Sequence, residues 1–279
     1  MKKHLFTIIL SLVFIVGLSV LLYPTVSDYF IARGQSRVVA HYHEAVSLLN
    51  EEELFEMLYD AHAYNESLIH NQGRFHFSDD DLYEYKTYLN VSNRGVIGTL
   101  EIDFIDVSLP IFHGTSEAVL QVGVGHLEGS SLPVGGLGTH TVITGHRGLL
   151  SSTLLSNIDR MEIGDIFNIR SLGDVLTYQV DQILIVEPDD FTSLVIDPNM
   201  DYATLLTCTP LGINSHRLLV RGHRIENIFA ARRSVVLSEG SSVNAAWVVL
   251  FSLIPATVFV ILVRLTIFLV RSWKRGASI

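Results

Sequence analysis

Apolar and polar positions divide the chain into distinct regimes. Residues 5–22 (LFTIILSLVFIVGLSVLL) form an uncharged run behind Lys2 and Lys3, and residues 245–263 (AAWVVLFSLIPATVFVILV) form a second. Each is long enough for a helix crossing the hydrocarbon core, which takes about 17–25 residues. Residues 28–64 instead show apolar side chains at three- and four-residue spacing, among them Val38, Tyr42, Ala45, Leu48 and Leu49, and predict a helical region. A loop follows, and Ser78 ahead of Asp79, Asp80 and Asp81 has the composition of a helix start. After Asn93 the pattern changes to short β-rich runs broken by Gly, Pro and Asp: GVIGTLEID, VSLPIFH, THTVIT, DIFNIR, VLTYQVDQILIVE, YATLLTC and HRLLVRGHRI. With no regular helices between them, these predict seven or eight strands in a closed or nearly closed antiparallel barrel rather than a doubly wound sheet.

The same pattern sets expected boundaries: a membrane anchor with its flanks at 1–27, the helical region at 28–92, the barrel at 93–229, a tether at 230–244, and a second span with its tail at 245–279. Lys2 and Lys3 precede the first span, while Arg271, Lys274 and Arg275 follow the second. Basic flanks stay on the cytoplasmic side, so both termini are expected inside and the barrel outside, at the cell membrane. Arg232 and Arg233 weaken that contrast without reversing it. Arg264 interrupts the apolar continuation of the second span and is expected to snorkel toward the cytoplasmic interface. A cleaved signal peptide is the rival reading of residues 5–22; the run is long and no clear small-x-small cleavage site follows it.

Charge and cysteine content narrow the function. The net charge is −10 with no basic stripe, which argues against nucleic acid as a partner. The chain has one cysteine, Cys208, so an internal disulfide is excluded and the thiol is free. Two readings compete for it: a buried side chain acting as a small apolar group, or a nucleophile.

Cys208 follows the strand-like TLLT and precedes Thr-Pro-Leu-Gly, where Pro210 and Gly212 require a turn. If the chain returns antiparallel, HRLLVRGHRI becomes the neighbouring strand and begins near the thiol with Arg217. Alternation then sets Arg217, Leu219 and Arg221 on one face, and His216, Leu218 and Val220 on the other. A guanidinium there could hold a carbonyl or stabilise a developing oxyanion, the alternative being a surface arginine on an edge strand. Nucleophilic attack on a peptide also needs a proton donor for the leaving amine. His146, in THTVITGHRG, stands at the end of another β-branched strand; His140, His216 and His223 remain alternatives. Histidine spacings of this kind, without a cysteine cluster, give no metal site, and no cofactor is expected.

TLLTCTP, with TGHRG upstream and an arginine nine residues after the cysteine, resembles the sortase signature. GVIGTLEID, VSLPIFHGTSEAVLQVGVGHLEGSSLPVGG and TPLGINSHRLLVRGHRI resemble the class C branch, which polymerises pilins, and the likeness runs over residues 65–225. It implies an eight-stranded sortase barrel and a cysteine transpeptidase. Cys208 would be the nucleophile, His146 the general acid/base, and Arg217 the group that positions substrate and stabilises the oxyanion. The family cleaves a Leu-Pro-x-Thr-Gly-like signal after threonine and passes the acyl group to an amine, in class C a lysine of the next pilin.

Class C enzymes also carry a lid with an Asp-Pro-aromatic motif. Phe75, His76 and Phe77 occupy the best-matching stretch, which keeps an aromatic at Phe77 and has neither the aspartate nor the proline. This predicts a lid held mainly by aromatic packing, against the alternative that the stretch is an apolar patch fixing the helical region to the barrel. The expected partners are pilin subunits or surface proteins bearing a sorting signal, with a lysine amine or a cell-wall peptide amine as acceptor. Attachment of surface proteins to the cell wall, an ordinary cysteine peptidase, and a non-enzymatic binding barrel are the competing readings.

Overall fold

A computed structural model of the protein describes residues 2–71, 73–148, 154–227 and Arg264. The expected tether at 230–244 and the second span at 245–263 lie outside the described residues. Residues Phe30–Gly240 belong to one compact unit, and the residues before Phe30 to another.

The first helix, α1 (Lys2–Ser47), is continuous through Pro24 and contains a segment long and apolar enough to cross a membrane, with none of that window buried. The helical periodicity read over 28–64 does not correspond to one helix. The chain breaks at 48–50 and restarts as α2 (Glu51–Leu68). Asn50 is the reason: its side chain accepts a hydrogen bond from the Glu53 amide while the Glu53 carboxylate accepts one from the Asn50 amide. This capping box satisfies donors that an uninterrupted helix would not leave free. The same device opens α3 (Asp79–Tyr85) at the helix start that the sequence predicts, and there Ser78 and Asp81 pair reciprocally.

Eight strands close into a barrel in the order β1 (Val96–Ile102), β2 (Val107–His113), β3 (Val124–His126), β4 (Thr139–Thr144), β7 (Asp201–Thr209), β8 (His216–Ile225), β6 (Asp174–Val186) and β5 (Ile166–Ser171). It is not the antiparallel barrel expected. The β2–β3 and β4–β7 pairs are parallel. Only three residues long, β3 gives too little alternation to be read from sequence. Ile97, Leu100, Ile143, Leu205 and Val220 fill the interior, all fully buried.

The helical region is tied to this barrel through specific polar contacts. The Tyr42 hydroxyl donates to the Ile97 carbonyl at 3.1 Å and accepts from the Leu172 amide at 3.0 Å, joining α1 to β1 and the β5–β6 turn. Asn65 of α2 makes two hydrogen bonds with the Leu132 backbone, donating to its carbonyl and accepting from its amide. Each is the kind of satisfied buried polar contact that fixes one arrangement.

Two buried histidines belong to this framework. The His126 Nε2 donates to the Ser131 carbonyl at 2.8 Å, so its Nδ1 is free to accept from the Tyr85 hydroxyl at 2.9 Å. The His140 Nδ1 donates to the Val195 carbonyl and its Nε2 accepts from the Thr204 hydroxyl. Burial pushes both imidazoles down to about 4, with Arg74 and Arg221 adding to the effect at His140. The native state therefore holds them neutral, while the unfolded chain takes up protons near the ordinary histidine value of about 6.5. Stability should be unaffected above that value and fall as the pH drops from about 6.5 toward 4, by roughly 3 kcal/mol for each histidine once both are charged. Urea unfolding followed across this range checks the sign; a midpoint that rises on acidification would show that these imidazoles are charged in the native state.

Candidate active site

The β4–β7 pairing runs in register from Thr139 opposite Asp201 to Thr144 opposite Leu206. It continues past the end of β4, because the Gly145 amide donates to the Leu206 carbonyl at 3.1 Å and the Thr207 hydroxyl donates to the Gly145 carbonyl at 2.8 Å. Carried forward in the same register, His146 comes abreast of Cys208. On the other side of β7, Cys208 is the direct antiparallel partner of Arg217. Residues facing each other across a pair have Cβ atoms about 4.5–5.5 Å apart. The cysteine thus has Arg217 as its direct partner on one side and, by extension of the β4–β7 register, the histidine segment on the other.

Side-chain alternation puts Cys208 and Arg217 on one face. Ile143, Leu205 and Val220 point into the barrel core, whereas Val142, Leu206 and Leu219 belong to a second apolar cluster on the outer side. Cys208 and Arg217 stand two residues from Leu206 and Leu219 within their strands, so they share that face. His146 lies two residues past the end of β4, where its Nε2 meets Glu117. Both Cys208 and Arg217 are half-buried, and so is His146. The expected division of β8 also holds, with Leu219 outward and Leu218 and Val220 inward.

Local structure sets up each residue. Gly145 precedes His146 where a Cβ would stand 2.8 Å from a Leu155 methyl, so a larger residue would have to push that buried side chain aside. Arg147, next in the chain, donates to the Thr209 hydroxyl at 3.5 Å and pairs with Asp159, clamping the histidine segment to the end of β7. Arg217 donates through one guanidinium nitrogen to the carbonyls of Asn214 and His216, and no carboxylate lies within ion-pair range of it among the described residues. Asn214 has φ 58°, a left-handed conformation that turns the chain back into β8. The guanidinium charge is therefore held by neutral dipoles and is not cancelled.

The alternative histidines are placed elsewhere. His140 is fully buried under the β6–β7 connection. His216 pairs with Glu187 at 3.3 Å and takes the face opposite Arg217. His223 lies opposite Tyr202, toward the other end of β7, near Asp181.

The stretch 75–77 differs from its expected arrangement. Phe75, not Phe77, makes the aromatic contact: its ring stacks on Phe191 with centroids 4.8 Å apart and joins the outer cluster that includes Leu206. Beside it, buried Arg74 donates to the Leu194 carbonyl at 2.6 Å and sets its guanidinium 4.7 Å from the Phe75 ring. The segment thus has a polar fastening to the β6–β7 connection as well as ring packing. His76 is exposed and Phe77 half-buried.

Residues 100–225 match the sortase domain model. The fold matches the crystal structure of sortase C1 from Streptococcus agalactiae with a TM-score of 0.66 and 43% identity, covering 68% of this chain and 99% of that one. Sortase C of Streptococcus pneumoniae is 47% identical, with a TM-score of 0.60 and coverage of 68% and 97%. The chain belongs to the sortase family.

Sortases are cysteine transpeptidases, and the similar solved structures include class C enzymes. Sortase D of Bacillus subtilis is 30% identical over 131 residues, which span 46% of this chain and 63% of that protein. The sortase domain match contains His146, Cys208 and Arg217, and it leaves out residues 74–77.

Two outcomes test the geometry. Thr207→Val removes a buried hydrogen bond and leaves the Gly145 carbonyl without its donor, so it should cost about 1–3 kcal/mol in urea unfolding. An unchanged midpoint would show that the β4–β7 extension is not held by this hydroxyl. Phe75→Ala should speed alkylation of Cys208 in the folded protein more than Phe77→Ala does. Equal rates in the two variants would remove Phe75 as part of the cover.

Proposed function

We propose that this chain is a membrane-anchored class C sortase that joins pilin subunits. The observation that carries the reading is the placement of an uncancelled guanidinium directly across the strand pair from a free cysteine, with an imidazole segment on its other side. The similarity to sortase C structures, one of them described in terms of pilin substrate specificity, supports the substrate class. The apolar segment of α1 supports anchoring, and the basic residues at both ends of the chain support a barrel on the outer face. The division into anchor (1–27), helical region with lid (28–92), barrel (93–229), tether (230–244) and second span with tail (245–279) belongs to the same proposal.

In this reading the Cys208 sulfur, as thiolate, attacks the threonine carbonyl carbon of a Leu-Pro-x-Thr-Gly-like signal. The carbonyl π electrons move to oxygen, and the resulting oxyanion is stabilised by Arg217. Collapse of the tetrahedral intermediate breaks the C–N bond. The departing glycine amine takes a proton from His146, which leaves a thioester on Cys208. A lysine amine of the next subunit then attacks the thioester carbon and passes its proton to the imidazole. The sulfur departs as thiolate, and the new isopeptide bond replaces the bond that was cut. Because the acyl group stays activated on sulfur, no further energy source is needed. The outer cluster around Val142, Leu206 and Leu219 offers the apolar residues of the signal a surface beside the sulfur. Phe75 covers that surface, so the signal must displace it. Anchoring enzyme and pilins in one membrane raises their effective concentration.

The test is mass spectrometry and gel analysis of the full chain in detergent with a sorting-signal pilin. A covalent adduct on Cys208 and a ladder of joined subunits are expected. Cys208→Ala should abolish both, and Arg217→Ala should lower turnover by about 10²–10³-fold, the effect of losing one oxyanion donor. Joining only to a cell-wall peptide would replace pilin assembly with surface-protein attachment. Hydrolysis without gain from added amine would make the chain a peptidase, and no adduct would end the enzymatic reading.

A further inference from the structure

The short helix α4 (Glu117–Leu120), between β2 and β3, brings a carboxylate to the histidine segment. The Glu117 Oε2 lies 3.2 Å from the His146 Nε2. Its other oxygen accepts from the Gln121 side-chain amide at 3.0 Å, one helical turn further on. The helix is seated rather than loosely attached. Leu120 rests over Gly125 of β3, where a Cβ would stand 3.3 Å from the leucine methyl and would overlap the Gly114 carbonyl oxygen. Since Gly125 pairs with Thr144 of β4, the chain that carries Glu117 and the chain that carries His146 are locked by one strand pair.

We infer that Glu117, braced by Gln121, is a positioning residue that fixes the orientation and tautomer of His146 and leaves Nδ1 as the nitrogen that serves Cys208. This rests on the catalytic role given to His146 above. An ionised carboxylate can only accept a hydrogen bond, so the nitrogen facing it must carry the proton. In the neutral ring that choice puts the lone pair on Nδ1, ready to take the thiol proton; in the charged ring Nδ1–H is the donor for the leaving amine. The Glu117 carboxyl is itself held below the usual carboxylate range by the Gln121 amide and by His146, which keeps it an acceptor. The other groups facing this region are Cys208 on β7, Arg217 on β8, and Arg147, whose charge is taken up by Asp159.

Glu117 is exposed, so removing it should not disturb folding, and its effect is that of a solvent-accessible contact of a few-fold. Glu117→Ala should reduce kcat about two- to fivefold with KM little changed. Glu117→Gln, whose amide oxygen still accepts from Nε2–H, should restore most of kcat, because the geometry returns. Gln121→Ala should give a smaller loss of the same kind. A purely structural role would give no difference between the Ala and Gln variants. The inference is overturned if Glu117→Ala leaves kcat unchanged, or if Gln is no better than Ala. His146→Ala serves as the control: an active His146→Ala enzyme overturns the catalytic reading itself, whereas an inactive one beside unaffected Glu117 variants overturns only the role of Glu117.

Discussion

Parallel pairing of β4 with β7 brings together segments that no turn connects, so the alignment of His146 with Cys208 depends on how that register is held. Parallel strands lack the hairpin that fixes an antiparallel pair, and a slip of one residue would exchange their two faces. Such a slip would bring Ile143 out of the core. Several contacts prevent it: Ile143 and Leu205 in the interior, the His140–Thr204 hydrogen bond in mid-strand, and the Thr207 and Arg147 contacts at the end. The buried histidine that titrates low and the threonine that holds Gly145 are thus parts of one alignment device. The site is assembled by the same forces that close the barrel.

The cysteine and arginine are related differently. They lie on a hairpin whose turn, through Pro210 and Gly212, is written in adjacent residues, and their opposition follows from local geometry. This explains what was legible in the sequence. The β7–β8 hairpin, the two faces of β8 and the capping signal at Ser78 all depend on residues close in the chain. The parallel pairs do not, since the composition of THTVIT and TLLT is equally compatible with either direction. The capping box at Asn50 was present as Asn-x-x-Glu, but continuous helical spacing on both sides of it masked the break. Glu117 is an ordinary charge on a one-turn helix, and only the packing of α4 on β3 shows what it faces.

The stretch around Phe75 makes its ring contact two residues before the position that the class C resemblance gives to the aromatic. The resemblance points to Phe77, after the positions where that class has aspartate and proline. The contacts favour Phe75, because buried Arg74 needs an acceptor and finds it at the Leu194 carbonyl, drawing the adjacent ring onto Phe191. A buried guanidinium with few partners is costly, and its choice of partner dictates where its neighbours go. The fastening therefore runs to the connection between β6 and β7 rather than to Arg217, whose hydrogen bonds go to the Asn214 and His216 carbonyls.

Arg217 donates its hydrogen bonds to carbonyls within three residues of itself, on the same hairpin that bears the cysteine. Sulfur and guanidinium therefore belong to one hairpin, while the imidazole belongs to a separate stretch of chain joined to it through Thr207 and Arg147. In the proposed mechanism the half that polarises the carbonyl is thus written in contiguous sequence, and the half that carries the proton reaches it only through the seam between two parallel strands.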